Sequence, residues 1–174
     1  MSPSKLTSLL TLTVAFSAAG SLMHAAETAD AKDQRITVNY QDPENFTDMK
    51  DGFYGTAKGM AAYQEEFAKY VTRTADRFLP QGQTMEITFT DVDMAGDFEP
   101  WRGSQASDVR IIKSIYPPRL KFNYVVKDAD GVVVKDGSER LSDLSFQNAI
   151  GLNRQDTFYY EQSLIGDWLR KLKA

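Results

Sequence analysis

The chain reads as one α+β domain, with a mainly antiparallel sheet of about five strands and two amphipathic helices on one face. Two stretches of helical period, several two-residue alternations and short connections between the later strands predict this class. Residues 35–40 alternate, with Ile36, Val38 and Tyr40 on one side, and run into Asp42-Pro43, so a strand should end in a turn there.

From Met60 the period changes. Met60, Tyr63, Phe67, Val71, Thr74 and Phe78 recur at three- and four-residue steps, opposite Glu65, Glu66, Lys69, Arg73 and Arg77. That pattern predicts a surface helix burying one stripe as ordinary core, with Glu65 and Lys69 in the favourable i,i+4 order. Pro80 and Gly82 should stop it near Leu79. The preceding segment from Gly52 to Gly59 has glycines and a lysine without phosphate-loop spacing, and it is expected to be a flexible lead-in.

Met85, Ile87 and Phe89 alternate with Glu86, Thr88 and Thr90, a half-buried strand leading into Asp91 and Asp93. A loop with Gly and Pro follows to about Ser107. Residues 109–116 and 119–127 predict further strands, split by Pro117-Pro118, which cannot donate to a ladder. Asp130-Gly131, set between Leu120/Phe122/Tyr124/Val126 and Val132/Val133/Val134, predicts a type I′ hairpin. Asp128 and Asp130 lack the further ligands of an EF-hand loop, so a turn is the better reading. Residues 141–153 could hold a short helix. Asp156 is placed to cap a last helix whose apolar face is Tyr160, Leu164, Ile165, Trp168, Leu169 and Leu172, with Lys171 and Lys173 matching its C-terminal dipole.

Residues 1–26 predict a secretory signal peptide: Lys5 near the start, an uncharged apolar run to Ala19, Gly20, then the small residues Ala25 and Ala26. The apolar run is shorter than the ~20 residues a spanning helix needs. Cleavage after Ala26 would leave a polar, flexible leader over residues 27–34 and a domain over residues 35–174. The expected address is periplasmic or secreted. Cleavage also removes His24, the only histidine, and the chain has no cysteine. Without imidazole or thiolate there is no Ser-His-Asp triad, cysteine nucleophile, ordinary zinc site, haem ligand or redox dithiol. The formal charge of −4 becomes more negative when Lys5 is lost, and no Lys/Arg stripe is present to track phosphates. Nucleic acid is not an expected partner, and no cofactor or catalytic residue is expected.

The densest polar segment holds the candidate contact residues Asp91, Asp93, Asp97, Glu99, Trp101 and Arg102. Asp91 and Asp93 share a strand face, where mutual repulsion would raise one carboxyl or recruit an oxygen-loving cation such as Ca²⁺. The same pair could serve as acid and nucleophile on a cell-wall glycan, with Trp101 as a sugar platform. The simpler reading has Asp97 or Glu99 paired with Arg102 and Trp101 plugging the sheet edge. A non-enzymatic module that contacts an envelope component through this loop and the exposed sheet face or edge is the leading expectation. Calcium- or glycan-directed carboxylates are the alternative.

Several of these segments resemble one uncharacterised exported bacterial family, Domain of Unknown Function 3016. The resemblance rests on Asp91-Val92-Asp93-Met94-Ala95-Gly96 with Pro100-Trp101, on Arg110-Ile111 and Tyr116-Pro117-Pro118-Arg119, on Asp130-Gly131, and on Tyr160-Glu161 with Asp167-Trp168. Met94 stands where the family typically has Leu, a change that conserves volume. The resemblance implies a small secreted or periplasmic domain and brings no activity, substrate or catalytic residue with it.

Overall fold

The computed structural model describes residues 35–103, 107–148 and 156–173. The expected export signal and leader lie outside the described residues. In order, the elements are β1 (Ile36–Tyr40), α1 (Ala57–Phe78), β2 (Thr84–Asp93), β3 (Asp97–Phe98), β4 (Arg110–Ile111), β5 (Arg119–Lys127), β6 (Val133–Ser142) and α2 (Tyr159–Lys173). Four strands form one sheet in the order β1-β2-β5-β6, and β3 and β4 form a separate ribbon. The α+β class holds. The sheet is mixed, because α1 carries the chain back to the starting end and sets β2 parallel to β1, while β2/β5 and β5/β6 are antiparallel.

The strand expected over residues 109–116 shrinks to Arg110–Ile111. Its partner β3 is two residues long, with Pro100 soon after, and Tyr116 N–H turns back to Lys113 O at 3.0 Å. The lead-in to α1 is not a loose glycine segment. Thr56 caps the helix by accepting from Gly59 N–H at 2.9 Å, and the Asp51 carboxylate accepts from Thr56 N–H at 2.9 Å and from its hydroxyl at 3.0 Å. A Cβ on Gly59 would sit 1.9 Å from that carboxylate, so the approach requires glycine. The hairpin also differs from type I′. Gly131 alone has positive φ, its N–H donates to Asp128 O, and the Asp128 carboxylate accepts from the N–H groups of Asp130 and Val132. This is a type I turn closed by a left-handed glycine. Between β6 and α2, residues Phe146–Asn148 form one 3-10 turn. Asp156 accepts from Phe158 N–H at 3.2 Å and from Gln162 Nε2, just ahead of α2.

Both helices cover the same sheet face. Phe67, Val71 and Ala75 of α1 and Ile165, Trp168 and Leu169 of α2 close over Ile36, Met85, Ile87, Phe89, Leu120, Phe122 and Val126. The other face is polar, with Asn39 donating to Glu86 and Ser138 to Asn123. A bulge in β2 sets which residues point where. Phe89 pairs with Phe122 but Asp91 with Lys121, so Thr90 is extra and the side-chain alternation reverses. Val92 is thereby buried in the core, while Asp91 and Asp93 keep partial access to solvent. Among the described residues no helix is long and apolar enough to cross a membrane.

Candidate binding end of the sheet

The C-terminal ends of β1 and β2, the start of β5 and the N-termini of α1 and α2 meet at one end of the domain. Asp48 joins them to the sheet through a parallel bridge to Asp93: its N–H donates to Val92 O at 2.9 Å and its carbonyl accepts from Met94 N–H at 3.0 Å. Three of the buried polar side chains, Asp48, Glu99 and Glu161, lie here. A buried carboxylate costs several kcal/mol of hydration unless paired, so each should have found donors.

Asp48 accepts both guanidinium nitrogens of Arg110, at 2.5 and 3.1 Å. Arg110 also donates to Gly96 O and Lys50 O, and its guanidinium lies 4.5 Å from the centre of the Phe98 ring. One side chain thus ties its own strand to two other chain segments, residues 48–50 and 96–98. Gly96 makes the close approach possible: it adopts φ +83°, and a Cβ there would meet Ile111 O at 2.8 Å.

Glu99 is only 1 % exposed and is surrounded by donors. Lys113 Nζ donates to it at 2.5 Å, Tyr116 Oη at 3.1 Å, and Arg102 Nε completes the set. The Lys113 hydrogen bond, with help from Arg102 and Tyr116, outweighs burial and holds its carboxyl down at about 2. Glu161, equally buried, accepts from Ala95 N–H at 2.6 Å. Burial dominates there and pushes the carboxyl up to about 7, against the pull of the Ala95 N–H and of Arg110.

The six residues singled out in the sequence separate into three groups. Asp91 and Asp93 sit side by side on β2, each with its own cation from β5: Lys121 at 2.7 Å and Arg119 at 2.7 Å. Asp91 also accepts from Thr47 N–H and Oγ1. Burial raises Asp91, but the Lys121 and Thr47 hydrogen bonds prevail and its carboxyl is lowered. At Asp93 burial prevails over Arg119 and the carboxyl is raised. Asp97 accepts only from Phe98 N–H in the hydrogen bonds described, at 2.7 Å. Glu99 and Arg102 are brought together as an ion pair, and Trp101 between them does not plug the sheet edge: it is 72 % exposed on the 3-10 turn Pro100–Arg102. Among the described residues no group of three or more acidic side chains is arranged to hold a metal ion.

Sequence reasoning missed Asp48 and Lys113 as members of this network, and it had Arg110, Tyr116 and Glu161 only as marks of resemblance. Nothing local distinguishes Asp48 from a surface aspartate.

The loops at this end of the domain expose further apolar side chains: Tyr54, 90 % exposed and edge-on to Phe53, with Val109, Ile112, Ile115 and Leu144. Apart from Val132, Val133 and Val134, every exposed large apolar residue among those described belongs to this end.

The family profile described as "Protein of unknown function (DUF3016)" matches residues 34–171. No curated protein matches the chain. Among solved structures, a PelC dodecamer from Paraburkholderia phytofirmans is similar at 14% identity and a TM-score of 0.33, over 81% of this chain and 87% of that one.

Proposed function

Because the chain belongs to the DUF3016 family, whose description assigns no activity, we propose a function from the site itself: an exported, non-enzymatic module that binds another envelope component through the rim around Trp101. The observation that carries the proposal is an exposed Trp101 on a turn held at its start by Glu99, whose carboxylate accepts from Arg102, Lys113 and Tyr116. Trp and Tyr offer large contact area with little side-chain entropy to lose, and a turn ordered in advance lowers the cost of association. Tyr54, Ile115 and Leu144 are exposed apolar side chains at the same end of the domain, and Arg102 adds a charge beside Trp101. Asp48, Asp91, Asp93 and Glu99 are engaged in structural ion pairs, which argues for contact rather than turnover. Loss of residues 1–26 on export leaves no histidine or cysteine for the common catalytic chemistries. Nucleic acid is not the partner in this reading.

A photo-crosslinking side chain at position 101, compared with one at Thr88 on the polar sheet face, tests the proposal in intact cells. A discrete adduct at 101, absent at 88 and lost in Tyr54→Ala, is expected. Equal adducts at both positions, or none at 101, would reject it. The mass of the soluble product tests export, with Glu27 as the expected first residue.

A further inference from the structure

At the end of the domain opposite Trp101, the C-terminal ends of both helices and the β5–β6 hairpin enclose a cavity of about 150 Å³. Its walls are Phe78 and Leu79 from the end of α1, Leu169 and Leu172 from α2, and Met85 and Val126 from the sheet. Those six side chains are apolar. Polar side chains join the lining from Gln83, Lys135 and Lys173, and Lys135, Lys173 and Val134 are exposed, so they mark the mouth. The volume equals that of about five liquid waters, yet water on the inner wall would find no side-chain partner, and cavities of this kind take apolar guests.

The mouth selects the charge of the guest. In a chain of formal charge −4, the ionic side chains of the lining are both lysines. Lys135 Nζ donates to Leu172 O, which holds it at the opening and leaves two of its three N–H groups for a ligand. The negative end of the α2 dipole faces the same region, but it amounts to about half a charge against two ammonium groups.

We propose that this cavity binds a single-chain anionic amphiphile, a fatty-acid-like carboxylate, with about five carbons in the cavity and the carboxylate against Lys135 and Lys173. The site is independent of the Trp101 rim and stands or falls separately from it.

Octanoate is the probe, added to the intact exported protein, with octanol as the uncharged tail and butyrate as the short one. The reporter is the Met85 methyl group by NMR, with buried Met49 and Met94 at the other end as internal controls. Octanoate should shift the Met85 resonance alone and, at ten times its dissociation constant, raise the melting midpoint by about 4 °C. Butyrate should do neither. Val134→Trp, a substitution at an exposed position, should abolish the Met85 shift, and Lys135→Gln with Lys173→Gln should weaken octanoate about tenfold, as the loss of two solvent-exposed ion pairs would, without changing the octanol response. No Met85 shift with octanoate overturns the proposal. So does a shift that survives Val134→Trp, an octanoate affinity unchanged in the lysine variant, or a response to phosphatidylglycerol vesicles alone, which would mean a lipid surface and not a soluble acid.

Discussion

The carboxylate of Glu161, in the first turn of α2, accepts a hydrogen bond from Ala95 N–H at 2.6 Å, joining positions 66 apart in the chain. Through it the turn that leaves β2 is fastened to the last helix. Its burial raises the carboxyl from an ordinary value of 4.5 to about 7. The unfolded chain releases this proton near 4.5 and the folded chain only near 7, so the group's stabilising contribution is complete below 4.5 and is lost as pH rises through 7. The loss is ~3 kcal/mol. Glu161→Gln, which keeps an acceptor for Ala95 and removes the charge, should flatten this slope and be more stable than the parent at pH 8. Urea unfolding at pH 5 and pH 8 measures both; a parent with no slope in that window would contradict the burial argument.

Glu99 titrates in the opposite sense. Held at about 2 by Lys113, Arg102 and Tyr116, it contributes stability above its ordinary 4.5 that disappears as pH falls toward 2. Glu99→Gln should be less stable than the parent at pH 6 and should lose less on going from pH 5 to pH 3. Thermal melts across that range decide it, and parallel acid curves for the two proteins would count against the network.

Arg110 is the residue whose loss should do most damage at this end. Arg110→Ala leaves buried Asp48 without its bidentate partner and should cost about 3–5 kcal/mol. Arg110→Lys restores a charge but not the planar fork, and should recover only part of that. Denaturant midpoints of the three proteins give the comparison.

The two tryptophans should respond oppositely to truncation. Trp101→Ala touches an exposed residue and should stay within ~0.5 kcal/mol of the parent. Trp168 is packed edge-on against Phe122 and Tyr124, with ring centroids 4.8 and 5.0 Å apart, and Trp168→Ala should cost about 3–5 kcal/mol. Acrylamide should quench Trp101 and spare Trp168. Unfolding caused by Trp101→Ala would make that residue core and remove it as a binding anchor.

Asp91 and Asp93 each already have a cation across the strand. Asp91→Asn should cost roughly 0.2–1 kcal/mol, Asp93→Asn should cost less because burial already disfavours the charge there, and calcium should not shift the melt of the parent. A calcium-dependent rise that vanishes in the double variant would instead revive a metal role for the pair.

Much of the fold was legible because its signals are local. Phe67, Val71 and Ala75 follow one another at helical spacing, as do Leu164, Ile165, Trp168 and Leu169, and each helix buries a single stripe whatever it packs against. The alternation of Met85, Ile87 and Phe89 likewise marked β2. Continued unbroken, that alternation would have turned Asp91 and Asp93 into the core. The extra residue at Thr90 prevents it, and a bulge is visible only against the partner strand. The parallel pairing of β1 with β2 also depends on where α1 delivers the chain.

The site was legible only as a cluster of polar letters. Sequence alone determined the two helical periods and the turn at Gly131, both properties of neighbouring residues. Tertiary structure decided which carboxylates would be buried, which would be paired and which aromatics would stay outside. Glu99 meets Lys113 and Tyr116, Asp48 meets Arg110 and Glu161 meets Ala95 at separations of 14 to 66 positions. Hydrogen bonds and desolvation act over a few ångströms of space, and only the folded chain converts those separations into contacts.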